Sequence, residues 1–113
     1  MIYISGKMTG EPNYREIFHK HELALISLGN EVFNPVYLSD YLIASHHIDD
    51  KTAWTEEMRG FFLKEDIKAL LQCDTIYMIP GWESSRGATF EREVAEKCGI
   101  KIVEGMELWK RKN

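Results

Sequence analysis

A chain of 113 residues, 44% hydrophobic and 12% aromatic, can build one buried core and is too short for two, so residues 1–113 are expected to form a single domain. Its net charge of −4, with the basic residues dispersed, argues against a general grip on nucleic-acid polymers or anionic membranes and leaves room for a small anion held by local donors. Cys73 and Cys98 fit no metal spacing, no charged leader marks a secretory signal, and no apolar run approaches the roughly 18 residues that span a bilayer, so a cytoplasmic protein with reduced thiols is expected.

The run Met1-Ile2-Tyr3-Ile4-Ser5 reads as a buried strand that stops in a loop carrying Gly6, Lys7, Met8, Thr9 and Gly10. Asn13 is placed to cap a helix over Tyr14 to Leu28, with Glu16 as its reciprocal partner, Gly29 as terminator, and Ile17, Ala24, Leu25 and Leu28 as the buried stripe. Glu31 to Pro35 forms a second short strand closed by proline. From Val36 to Thr52 the apolar residues keep no clean period, which fits a short helix plus a lid-like loop; His46, His47, Asp49 and Asp50 lack a spacing that selects a metal. Trp54 to Cys73 is helical, Asp74 to Pro80 a buried strand, Ser84 to Gly99 a helix behind a glycine-bearing loop, and Ile100 to Val103 a last strand before a polar tail.

Strands alternating with helices call for an α/β fold: a three-layer, doubly wound sheet of Rossmann-like or flavodoxin-like type, mainly parallel, of four to five strands. Ligands of such sheets sit outside the carboxyl ends of the strands, where strand order reverses. The loops after the first and third strands, Gly6 to Gly10 and Gly81 to Ser85, open there.

Two carboxylates draw the eye. At about 100° per residue, Gly87, Ala88, Val94, Ala95 and Cys98 fall within roughly 60° of Glu91, so Glu91 points inward among small residues, where a lone charge is costly. It either lines a cavity with dedicated partners or sits at a rim beside a cation. Asp66 likewise lies between Phe62, Leu63, Ala69 and Leu70; the plain alternative is an edge position neutralised by Arg59 on the same face. Backbone N–H groups of the glycine loop and of the last helix, with Ser84 and Ser85, suit a phosphate, and Lys7 and Arg86 either add charge to it or are solvated surface cations. The run Ser5 to Gly10 is not a Walker loop. Paired carboxylates beside a nucleotide-sized cleft suit chemistry at a sugar's anomeric carbon.

Tyr3 in the first strand, Asp66 before Asp74-Thr75-Ile76, and Ser85-x-Gly87-x-x-x-Glu91-x-x-x-Ala95 resemble the nucleoside 2-deoxyribosyltransferase family. Ile4-Ser5-Gly6-Lys7-Met8-Thr9-Gly10 and Trp82-Glu83-Ser84-Ser85-Arg86-Gly87-Ala88 resemble a small branch of that superfamily found in bacterial and prophage genomes. The resemblance implies Glu91 as the nucleophile at C1′, Asp66 as the carboxylate that manages the proton, and Tyr3 as the residue orienting Glu91. Ser5, Gly6, Lys7, Met8, Gly10, Trp82, Ser85 and Gly87 would bind substrate, with Trp82 either stacking on the base or packing its loop. No cofactor and no metal is implied; the partner is a nucleoside or nucleotide, and a homodimer or higher homo-oligomer is expected. Ser85 stands where the transferases carry an acid and resembles instead the nucleoside 5′-monophosphate N-glycosidases, where a serine helps hold a 5′-phosphate; Glu93 and Thr89 replace family glycines. Cleavage or transfer at an N-glycosidic bond is the expected function. A non-catalytic module that binds or sequesters nucleotides, and a structural partner domain, are the alternatives.

Overall fold

The computed structural model describes residues 1–48 and 55–106. Its elements in chain order are β1 (Ile2–Ser5), α1 (Tyr14–Ser27), β2 (Val32–Phe33), α2 (Pro35–Ser45), α3 (Glu56–Leu70), β3 (Thr75–Met78), a 3-10 turn (Trp82–Ser84), α4 (Arg86–Lys97) and β4 (Lys101–Glu104). The strands form one sheet in the order β2-β1-β3-β4, every neighbouring pair parallel. The expected doubly wound sheet is therefore present, with four strands among the described residues. The switch point falls between β1 and β3, because the chain leaves β1 for one side of the sheet and later returns to the other.

Alternation along the strands sorts side chains between two layers. Tyr3, Ile76 and Met78 point to the α3/α4 side, where they pack with Leu70, Cys73, Ala88 and Ala95. Ile4, Tyr77 and Ile79 point to the other side, onto Phe18 and Leu25 of α1 and Val36 at the start of α2. The register Tyr3↔Ile76 and Ser5↔Met78 brings the ends of β1 and β3 level, so the loops that follow them emerge together.

Several helix details differ from those the sequence predicts. Asn13 makes no side-chain cap to α1; Glu11 instead accepts a bond from the Asn13 N–H. The buried stripe of α1 is Phe18, His21 and Leu25, while Leu28 lies past the last helical residue and is 71% exposed. Gly29, at φ +91°, ends α1 as expected, in a backbone region that side-chain-bearing residues avoid. Pro35 does more than close β2: it opens α2, whose cap is Asn34, its Oδ1 accepting from the Val36 N–H at 3.0 Å. The expected lid-like part of the segment to Thr52, Asp49 and Asp50, the proposed helix start at Trp54, and the tail from residue 107 lie outside the described residues. Among the described residues, no helix is long and apolar enough to cross a membrane.

Candidate active site

Strand geometry builds the first half of the site. Residues two apart on β1 share a face, so the hydroxyls of Tyr3 and Ser5 both project toward α4. Ser85 starts α4 with its Oγ accepting from the Ala88 N–H at 3.1 Å. Ala88, Glu91 and Ala95 then form the buried row of that helix, the two alanines letting it approach the sheet closely. Glu91 consequently meets β1. Tyr3 donates to Glu91 Oε2 at 2.8 Å and Ser5 donates to Glu91 Oε1 at 2.7 Å, and only 6% of Glu91 remains exposed.

The electrostatics follow from burial and those donors. Burial raises the Glu91 carboxyl to about 7, opposed by the bonds from Ser5 and Tyr3, which favour the ionised form. Burial raises Asp66 on α3 to about 8, with the charges of Glu91 and Glu65 adding to it. No hydrogen bond or ion pair reaches Asp66 among the described residues. Arg59, the expected neutralising neighbour, is instead 3.7 Å from Glu56, which also pairs with Arg86 at 3.2 Å. Tyr3 is held well above the usual phenol range by burial and by the charges of Glu91 and Asp66. Glu91, carrying two donors, thus gives up its proton before Asp66, which carries none.

The other predicted residues divide. Gly6 is required by packing, since a Cβ there would sit 3.0 Å from Cβ of Ile79 and 3.3 Å from Cζ of Phe18. Met8 packs half-buried on the α1 side of the sheet. Gly10 has φ +83°, with the Lys7 side chain alongside it. A Cβ on Gly87 would meet nothing within 4 Å. Trp82 packs its loop: its indole N–H donates to Glu104 Oε1 at 3.1 Å, and the Arg92 guanidinium lies 4.8 Å from its ring centroid. Arg86 is 84% exposed. Cys98, expected on the inward face, is exposed, because the contact with the sheet ends at Ala95.

Two features escape the sequence reading. Ser5 is a hydroxyl on the nucleophile candidate, a placement that its i, i+2 spacing from Tyr3 on a strand could have signalled. His21 is fully buried on the opposite layer, Nδ1 2.8 Å from the Tyr77 hydroxyl, and burial lowers it to about 4. Nothing in a helical pattern marks that histidine.

An all-parallel sheet with order β2-β1-β3-β4 and a buried carboxylate of α4 held by two hydroxyls of β1 defines a doubly wound α/β protein with a polar centre between its first strand and its last helix. The chain belongs to the family described as Domain of unknown function (DUF4406), which matches residues 1–104. In fold it is similar to the 2-deoxyribosyltransferase of the psychrotolerant bacterium Bacillus psychrosaccharolyticus, with a TM-score of 0.62 and 20% identity over 96% of this chain and 77% of that one. No curated protein matches the chain. Among the described residues no group of three His, Cys, Asp or Glu side chains is placed to hold a metal ion.

Proposed function

We propose that the protein cleaves or transfers the N-glycosidic bond of a nucleoside or nucleoside 5′-monophosphate, in the ribo or deoxyribo series, through a covalent glycosyl-Glu91 intermediate. The observation that carries this reading is the buried Glu91 carboxylate held by Tyr3 and Ser5, next to an Asp66 that keeps its proton to about pH 8. The shared fold of a 2-deoxyribosyltransferase supports it.

Chemically, a Glu91 oxygen attacks C1′ while the bond from C1′ to the base nitrogen breaks. Its electron pair goes to the base, which takes the Asp66 proton. Water or a second base then attacks C1′, Asp66 recovers a proton from it, and Glu91 leaves as a carboxylate. Water gives a hydrolase; a base gives a transferase. The N-terminus of α4, with the Ser85 hydroxyl at its cap, suits a 5′-phosphate. Trp82, with its indole bonded to Glu104, is left out of base stacking in this reading.

Incubating the protein with a panel of nucleosides and nucleoside 5′-monophosphates, with and without a free acceptor base, tests it. Released base, and a sugar adduct on the intact protein that is absent from Glu91→Ala, are expected. Ligand-induced stabilisation without any product, with equal affinity in Glu91→Ala, would replace the enzyme by a binding module.

A further inference from the structure

Ser5 occupies a position where chemistry and packing disagree. It sits in the central strand β1, 1% exposed, beside the fully buried Ile4 and paired across the sheet with the fully buried Met78. Such a site favours an apolar side chain, and a hydroxyl there costs free energy unless it finds a partner. Its partner is Glu91 Oε1 at 2.7 Å. Tyr3 differs, because its ring also fills the core and stacks on Phe33 with centroids 5.7 Å apart, so its presence has a structural reason apart from the hydroxyl.

The terminal torsion of a glutamate is broad, and one hydrogen bond to one oxygen leaves the plane of the carboxylate free to turn. Two hydroxyls on one strand, each to a different oxygen, fix it. We propose that Ser5 is a positioning residue for Glu91: together with Tyr3, each hydroxyl on a different oxygen, it sets the plane of the carboxylate. This rests on the glycosidic reading of the site and removes Ser5 from the residues that hold substrate.

The charge state follows the same geometry. Of the two donors that oppose the burial of Glu91, Ser5 acts more strongly. The titratable groups that respond to Glu91 are Tyr3 on β1 and Asp66 on α3; Glu65 acts in turn on Asp66, and Cys73, which follows α3, on Tyr3. No cation pairs with Glu91 among the described residues. Ser5 therefore favours the ionised form of the carboxylate.

Ser5→Ala and Ser5→Thr are the informative variants, since Ala removes the hydroxyl with the smallest change of shape and Thr, a good strand residue, restores it. For Ser5→Ala, kcat should fall roughly 10- to 100-fold, the scale of one hydrogen bond to a charged group, with little change in KM. The acid limb of kcat/KM should move to higher pH, and Ser5→Thr should recover most of both effects. A change in KM alone would make Ser5 a substrate contact; an unmoved acid limb, or loss shared equally by Thr, would make it structural. Either result overturns the proposal. Carboxyl 13C titration of Glu91 in the wild type and in Ser5→Ala gives a readout independent of turnover: the Glu91 midpoint should rise in the variant, and an unchanged midpoint rejects the proposal. If no substrate is turned over while that midpoint rises, the glycosidic reading fails and the positioning role stands.

Discussion

The hydroxyl of Tyr3 and the carboxylate of Glu91 meet at 2.8 Å although 88 residues separate them in the chain. The contact joins the first strand to the last helix, on the face of the sheet where α4 packs.

Tyr3→Phe keeps the ring, its stacking on Phe33 and the core, and removes only the donor to Glu91 Oε2. The rate of base release should drop roughly 10- to 100-fold, while thermal stability changes by about 1 kcal/mol or less. Steady-state kinetics paired with a melting curve separate the two; a large loss of stability with an unchanged rate would mean that the hydroxyl serves the fold.

Asp66 and Glu91 make a prediction about alkaline stability. Both titrate higher in the folded chain than the about 4 of a free carboxyl, Glu91 at about 7 and Asp66 at about 8. The fold thus binds more protons than the unfolded chain between about pH 4 and pH 8, and these groups lower stability as pH rises through that window. Asp66→Asn should melt higher than the wild type at pH 8–9, by several degrees if about 1 kcal/mol is relieved. The advantage should fade below about pH 5, near the free carboxyl value. A difference that does not depend on pH would show that Asp66 is not held protonated.

His21 acts in the opposite sense. Burial lowers it to about 4, from an ordinary value of about 6.5, so the folded chain binds fewer protons between these values. The stability it contributes is present above pH 6.5 and is lost as pH falls toward 4. The Tyr77 hydroxyl accepts from the Met106 N–H at 3.1 Å and lies 2.8 Å from His21 Nδ1. His21→Asn keeps an acceptor but cannot charge, so it should flatten the decline on acidification, measured by melting from pH 7 to pH 4. An equally steep decline in the variant would place the acid sensitivity elsewhere.

Gly6 gives a steric prediction. Adding a Cβ 3.0 Å from Ile79 Cβ and 3.1 Å from its Cδ1 forces the loop or the core to shift, and Gly6→Ala should cost about 1–3 kcal/mol. The expected loss in Tm is roughly 4–8 °C per kcal/mol. Gly87→Ala, where nothing lies within 4 Å, serves as the paired control and should leave the melting curve almost unmoved.

Much of this was legible in the sequence because the relevant periods are strong. The wheel of α4 turned Glu91 inward, and the spacing along α3 turned Asp66 toward the apolar face, where burial raises its carboxyl. The parallel order of strands followed from their alternation with helices. Errors arose where a periodic argument ran past the packing that justifies it. Cys98 and Leu28 sit beyond the last residues of their helices that touch the sheet. Arg59 shares a face with Asp66 but is about 10 Å along the helix axis from it, and Glu56, three residues away, captures it. Ser5 was placed at the end of a buried strand and, through the resemblance, among the substrate contacts; its bond to Glu91 was not read, because the strand face it shares with Tyr3 was not considered. His21 was illegible, since a histidine in an amphipathic stripe says nothing of a tyrosine 56 residues later.

The two outer strands of the sheet have a consequence for life at high concentration. β2 is only two residues long, and β4 presents the exposed charges of Lys101 and Glu104 at its ends. A short rim on one side and a charged rim on the other give an incoming extended peptide little to add to. Among the described residues, fibril-like growth through the backbone at these two rims is thereby disfavoured.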